Sequence, residues 1–114
     1  MKNESANGNK ALRGAVGICA KAGKLITGIP MICEAMKARK RIFLVIESSD
    51  NSNNSSKRLH DRCTYYAVPL HTVSLNGEEL ALAVGKGARI GAVAVTDENF
   101  YRLISKSLEE TKEV

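Results

Sequence analysis

The run Ile42-Phe43-Leu44-Val45-Ile46 constrains this chain more than any other stretch. A strand with one wet face alternates apolar and polar residues. An unbroken apolar run instead reads as a central strand covered on both faces. The segments around it supply the cover. Leu12, Val16 and Cys19 recur at i, i+4 and i+7 between Lys10 and Ala22, which marks one face of a helix. Ile29, Ile32, Cys33 and Met36 do the same in a second helix, and Leu59, Cys63 and Tyr66 in a third. Phe100, Leu103, Ile104 and Leu108 form the inner face of a last helix. Leu25-Ile26 suits only a short strand, and 69-PLHTVS-74 and 92-AVAVT-96 read as two more. Helix and strand alternate along the whole chain, so the fold class is α/β, with a sheet between helical layers.

The element ends are also legible. Gly23 stops the first helix. Thr27 reads as the N-cap of the second, with Pro30 inside its first turn, where a missing N–H costs little. The polar segment 48-SSDNSNNSS-56 reads as a loop followed by the opening of the third helix. Asn76-Gly77 forms a turn before a short helix over 78–84, and Asp97 caps the final helix. At 114 residues the chain makes one domain with one core. Residues 1–9 are polar and read as a disordered tail, 10–108 as the domain, and 109–114 as a frayed end. No run nears the roughly 18 apolar residues of a membrane span, and the start lacks a signal-peptide core. The expected location is the cytoplasm. Cys19, Cys33 and Cys63 are odd in number, lack metal spacing and sit in apolar patterns, so they are expected to be reduced and buried.

The chain carries a net charge of +5, as do many small domains that bind nucleic acid through phosphates. The rest of the sequence offers no catalytic constellation, cofactor motif or metal site. His60 and His71 have no motif partners and read as ordinary structural or surface histidines. Gly85, Gly87 and Gly91 lie between a helix and a strand, the reverse of the order in a dinucleotide fingerprint. They read as a plain turn with Lys86 and Arg89 on its rim. The stretch from Lys24 to Arg41 is more informative. A helix start at Thr27, Gly28 and Ile29 presents unpaired N–H groups and a positive dipole end, which favour an anion. Gly28 permits close backbone approach. Lys24 precedes it, and Lys37 follows two turns on, within reach only of an extended ligand such as RNA.

Four segments in this order resemble the family of ribosomal proteins that bind kink-turn RNA, the L-seven-Ae and L-thirty-e family, in its bacterial YlxQ-like branch. They are 17-GICAKAGKLITG-28, 63-CTYYAVP-69, 77-GEELALAVGK-86 and 93-VAVTDENF-100. The resemblance spans about residues 11–106. It implies a three-layer α/β/α sandwich with a central four-stranded mixed sheet. It also implies RNA contact at the start of the second helix and in the loop after the fourth. The family's kink-turn binders carry Gly, then Asn-Glu, then Lys three residues after the Glu. Here the Gly matches Gly28, but Pro30, Met31 and Glu34 occupy the other three positions. The expectation is a non-enzymatic protein that binds RNA, ribosomal or otherwise structured, with its kink-turn readers altered. Its expected contacts are Lys24, Thr27, Gly28, Ile29, Lys37, Lys86 and Arg89. The alternative is a protein-interaction module that uses the Ile29-Pro30-Met31 surface on the same scaffold.

Overall fold

The computed structural model describes residues 2–112, with side-chain surroundings for 9–108. Helix α1 spans Lys2–Lys21, strand β1 Leu25–Thr27, α2 Ile29–Lys37, β2 Leu44–Glu47 and α3 Asn53–Tyr65. Then follow β3 Leu70–Thr72, α4 Gly77–Ala83, β4 Ala92–Val95 and α5 Glu98–Lys112. The alternation agrees with the sequence; several boundaries do not. The first helix begins at Lys2, where a tail over 1–9 was expected. Asn9 is held there, because the Ser74 hydroxyl donates to its side chain at 2.9 Å. The last helix runs on to Lys112 through the end expected to fray from 109, and residues 113 and 114 lie outside the described residues.

The four strands lie in the order β1-β4-β2-β3, with β2 and β3 parallel and the other two pairs antiparallel. This is the four-stranded mixed sheet that the resemblance implied. Side chains alternate across it because a strand has a period of two. Leu44, Ile46, Val93 and Val95 face a core with Leu12, Val16 and Cys19 of α1, Leu80 of α4 and Ile104 of α5. Val45, Ala92 and Ala94 face the other way, onto Ile32 and Met36 of α2 and Leu59 and Cys63 of α3. Residues 44–46 are at most 1% exposed, which fits a strand sandwiched between two helical layers. All three cysteines are free and buried, as expected. Leu103, assigned by sequence to the inner face of the last helix, is 44% exposed. Ile104 and Leu108 fill that core without it.

The helix ends share one geometry. After α1, α2, α3 and α4 a residue in the left-handed region turns the chain out of the helix: Gly23, Arg39, Ala67 and Gly85, with φ of 73°, 62°, 57° and 76°. In α2 the Arg39 amide donates to the Met36 carbonyl at 3.0 Å, and that of Lys40 to Ala35 at 2.9 Å. This is a Schellman motif, in which glycine is the favoured turning residue. A side chain with a Cβ costs about 1 kcal/mol there, so α2 and α3 end on residues that are not the most stable choice.

Candidate functional site

β1 and β2 each feed a helix at their carboxyl end, so the N-termini of α2 and α3 come together at one edge of the sheet. Crevices at the carboxyl ends of strands are the usual ligand sites of open α/β sheets. Here the crevice is an open groove of about 770 Å³ lined by three segments. Thr27 to Pro30 form one wall and Asp50 to Ser52, with Ser55, the second. The loop Lys86 to Gly91 forms the third.

The first wall differs from the sequence reading in its cap. Thr27 lies in β1, paired with Val93, and Gly28 is the N-cap, with φ 95° and no side-chain hydrogen bond to the helix. The β1–β4 ladder explains the shift. The Gly28 amide continues it by donating to the Ala92 carbonyl at 2.9 Å, so Thr27 stays extended. Ile32 is the first residue of α2 to donate back into the helix, to Gly28. Pro30 has no N–H, so the amides left open are those of Ile29 and Met31.

The second wall was not foreseen as part of the site. Ser52 caps α3 by accepting from the Ser55 amide at 3.3 Å. A second positive helix end therefore points at the groove, and each such end is worth roughly 0.3–1 kcal/mol toward an anion at an exposed site. Asn51 is fixed from below. Its amide group donates at 2.8 Å to Glu47, a carboxylate only 1% exposed at the end of β2. Glu47 also accepts from the Thr72 hydroxyl at 2.8 Å and pairs with His60 Nε2 at 2.9 Å. Burial alone would raise this carboxyl. Hydrogen bonds from Asn51, Ser56, His60 and Thr72 outweigh burial and hold it at about 2. His60 is thus structural, as the sequence suggested, although its partner lies 13 residues away.

The third wall carries the exposed cations. Lys86 is exposed and makes no ion pair among the described residues. Arg89 is exposed on the rim, as expected, and is paired there with Asp50 at 2.6 Å. Asp50 also accepts from the Gly77 amide at 2.9 Å. That backbone bond, resisted by slight burial and aided by Arg89, holds its carboxyl below the usual range. Arg89 is therefore partly neutralised and packs this wall against the start of α4. Asn76 begins that helix as its cap, in a reciprocal pair with Glu79, and the helix starts at Gly77 rather than at 78. Gly91 lets the loop close on the other walls. A Cβ there would come within 2.9 Å of the Ile29 side chain and 3.0 Å of Asn51.

Thr27, Gly28, Ile29, Lys86 and Arg89 are thus brought together. Lys24 and Lys37 are not. Lys24 precedes β1, and its carbonyl accepts from Thr96 at the far end of β4. Four residues of extended chain put it about 13 Å from Gly28. Lys37 closes α2, eight helical residues and about 12 Å beyond Ile29. Of the residues replacing the kink-turn readers, Pro30 lines the groove, while Met31 is 60% exposed and Glu34 is exposed beside it. No cluster of three or more His, Cys, Asp or Glu able to hold a metal occurs among the described residues, nor any helix long and apolar enough to cross a membrane.

Comparison with known proteins gives the family and the fold. Residues 10–105 match the model of the ribosomal protein L7Ae/L30e/S12e/Gadd45 family. The chain is 35% identical over 91 residues to the RNA-binding protein YlxQ of Bacillus subtilis, covering 79% of this chain and 88% of that one. It is 27% identical over 103 residues to the RNA-binding protein YlxQ of Enterococcus faecium, covering 90% and 95%. Among solved structures it resembles a Bacillus halodurans protein of unknown function, with a TM-score of 0.77, 31% identity and coverage of 86% and 96%. A Giardia lamblia 15.5 kD RNA-binding protein shares the fold, with a TM-score of 0.71, 14% identity and coverage of 94% and 89%.

Proposed function

Because the chain belongs to the ribosomal protein L7Ae/L30e/S12e/Gadd45 family, we propose that it is a non-enzymatic RNA-binding protein whose groove receives an RNA backbone. The observation that carries this reading is the meeting around Gly28 of two helix N-termini and Lys86, which has no ion pair among the described residues. Open amides and dipole ends favour phosphate oxygens. Gly28, lacking a side chain, leaves room for a ribose or phosphate to come close. The RNA would be ribosomal or another structured RNA, met in the cytoplasm.

Recognition of a standard kink-turn is weak on this reading. Pro30 offers neither a side-chain hydrogen-bonding group nor an N–H. Met31 cannot accept from a base amino group, and Glu34 repels phosphate. Good base-reading pairs are worth about 1–3 kcal/mol each, so the loss of two removes most of the discrimination. Backbone attraction persists and is salt-sensitive.

The test is a titration of wild-type protein and Lys86→Gln against an RNA with a kinked internal loop and a straight duplex of equal length. The wild type should bind both with similar affinity. Lys86→Gln should weaken both several-fold and flatten the plot of log affinity against log salt by about 0.7–0.9, the release expected for one phosphate contact. Strong wild-type preference for the kinked RNA would refute the altered-reader reading. Unchanged affinity of the variant would refute the groove assignment.

A further inference from the structure

The groove leaves the most basic segment of the chain unused. Lys37, Arg39, Lys40 and Arg41 place four cations within five residues, all exposed. None has an ion pair among the described residues. We infer that this turn, at the end of the molecule away from the groove, is a second RNA-backbone contact. With the groove occupied as well, it would hold the strand that leaves along α3. The inference rests on the reading that the chain binds RNA, but not on the groove being the site.

A helix end attracts basic residues through its dipole, and Lys37, in the last turn of α2, meets that need. Arg39 and Lys40 close the helix through their amides and share that attraction, but four cations exceed what one half-charged helix end calls for. They need another reason to be there. Arg39 sits at φ 62°, a position where glycine is favoured. Ala67, which ends α3 at φ 57°, is the only other non-glycine residue with positive φ among those described. Both residues line the same recess, of about 280 Å³, with Arg41 and Tyr66. Strain held at one place is grounds for proposing a function there. The Arg41 guanidinium lies 4.9 Å from the centre of the Phe43 ring, which supports it while leaving its outer edge free for a phosphate.

The two sites are joined by a basic stripe. Ser55 of α3 lines the groove, and Arg58 and Arg62 follow it at i+3 and i+7 on the same helix face. The stripe ends at Tyr66, in the recess. Neither arginine is ion-paired among the described residues. The 13 residues of α3 span about 20 Å, several nucleotides of backbone and too far for one phosphate. A protein partner would need an apolar centre to its contact. Of the large hydrophobic side chains exposed in the described residues, only Tyr65 adjoins the recess, against Tyr66; Ile18, Met31, Leu82 and Leu103 belong to α1, the start of α2, α4 and α5. A polyanionic backbone fits the surface better.

The test uses a 40-nucleotide RNA with a stem, an internal loop and a single-stranded extension, titrated over a series of KCl concentrations. Wild type, Lys86→Gln and the triple variant Arg39→Gly, Lys40→Gln, Arg41→Gln are compared. Glycine suits the φ of residue 39, so the triple variant keeps its fold; Arg39→Gly alone is the control and should melt no lower than wild type. The triple variant should lose at least tenfold in affinity at 100 mM KCl. Its salt slope should fall by about 2–3 units, as three lost phosphate contacts require at roughly 0.7–0.9 each. Removing the extension from the RNA should erase most of the difference. Wild-type affinity and slope in the triple variant would overturn the inference, and weakening by Lys86→Gln in the same experiment would leave the groove standing. Loss in the triple variant with none in Lys86→Gln would support this contact and refute the groove. If wild type binds no RNA, both fall. If the triple variant loses polyglutamate binding but not RNA binding, the surface serves an acidic protein and the inference is wrong.

Discussion

Replacing Glu47 by glutamine should destabilise the protein by about 3 kcal/mol at pH 7. The carboxylate is almost completely buried, and its two oxygens take hydrogen bonds from Asn51, Thr72 and His60 at 2.8, 2.8 and 2.9 Å. Those bonds overcome the burial penalty and bring its pKa from 4.5 down to about 2. At about 1.36 kcal/mol per unit, the difference favours the folded state by roughly 3 kcal/mol once the group is ionised. The folded-state value lies below the unfolded one. The stabilisation is therefore complete above the unfolded value near 4.5 and is lost as pH falls through the folded value near 2. Glutamine mimics the protonated acid. Urea unfolding of both proteins at pH 7, 5, 3 and 2 reads the gap between them, so that other titrating carboxylates cancel. The gap should be about 3 kcal/mol at pH 7, about 1.4 at pH 3 and about 0.4 at pH 2. A gap under about 1 kcal/mol at pH 7, or one that does not shrink with acid, would refute the argument that this network holds an ionised carboxylate.

Gly28→Ala should cost about 1–3 kcal/mol in urea unfolding, because φ is 95° there and L side chains are strained in that region. Nothing lies within 4 Å of the added Cβ, so the cost comes from the backbone alone, and a loss below about 0.5 kcal/mol would contradict the geometry. Cys19, Cys33 and Cys63 should react with a thiol reagent at pH 8 far more slowly in the native protein than in urea. All three are buried, and burial pushes Cys19 and Cys63 up to about 11, the first with help from Asp97 and the second from Cys33 and Glu47. Rapid native labelling of any of them would show that its helix face opens.

Burial was legible in the sequence wherever it left a period. The face of α1 and the unbroken run ending at Ile46 were read directly, because i, i+4 spacing and loss of alternation are consequences of what the chain must cover. The strand order was not legible. It depends on β4 inserting between β1 and β2, which joins residues 45 or more positions apart. Misplacement of Lys24 follows from that gap: only the antiparallel β1–β4 register shows that it lies at the Thr96 end, away from Gly28. Thr27 looks like a cap by residue type, yet the ladder to Val93 keeps it in the strand. The wall formed by Asp50, Asn51 and Ser52 was hidden for a similar reason. Its polar residues read locally as a loop and a helix start; their nearness to Lys86 is a tertiary fact. The pairing of Arg89 with Asp50, across 39 residues, left no local trace.

The central claim is that RNA backbone enters the groove between the starts of α2 and α3. It is tested most directly by amide chemical shifts of the isotope-labelled protein, titrated at low salt with the kinked internal-loop RNA. The amides of Ile29, Met31, Asn53 and Lys86 should shift most strongly and saturate together, since they open onto the site or flank it. Saturation of binding with these four amides unmoved, and the shifts confined to other surfaces, would contradict the account.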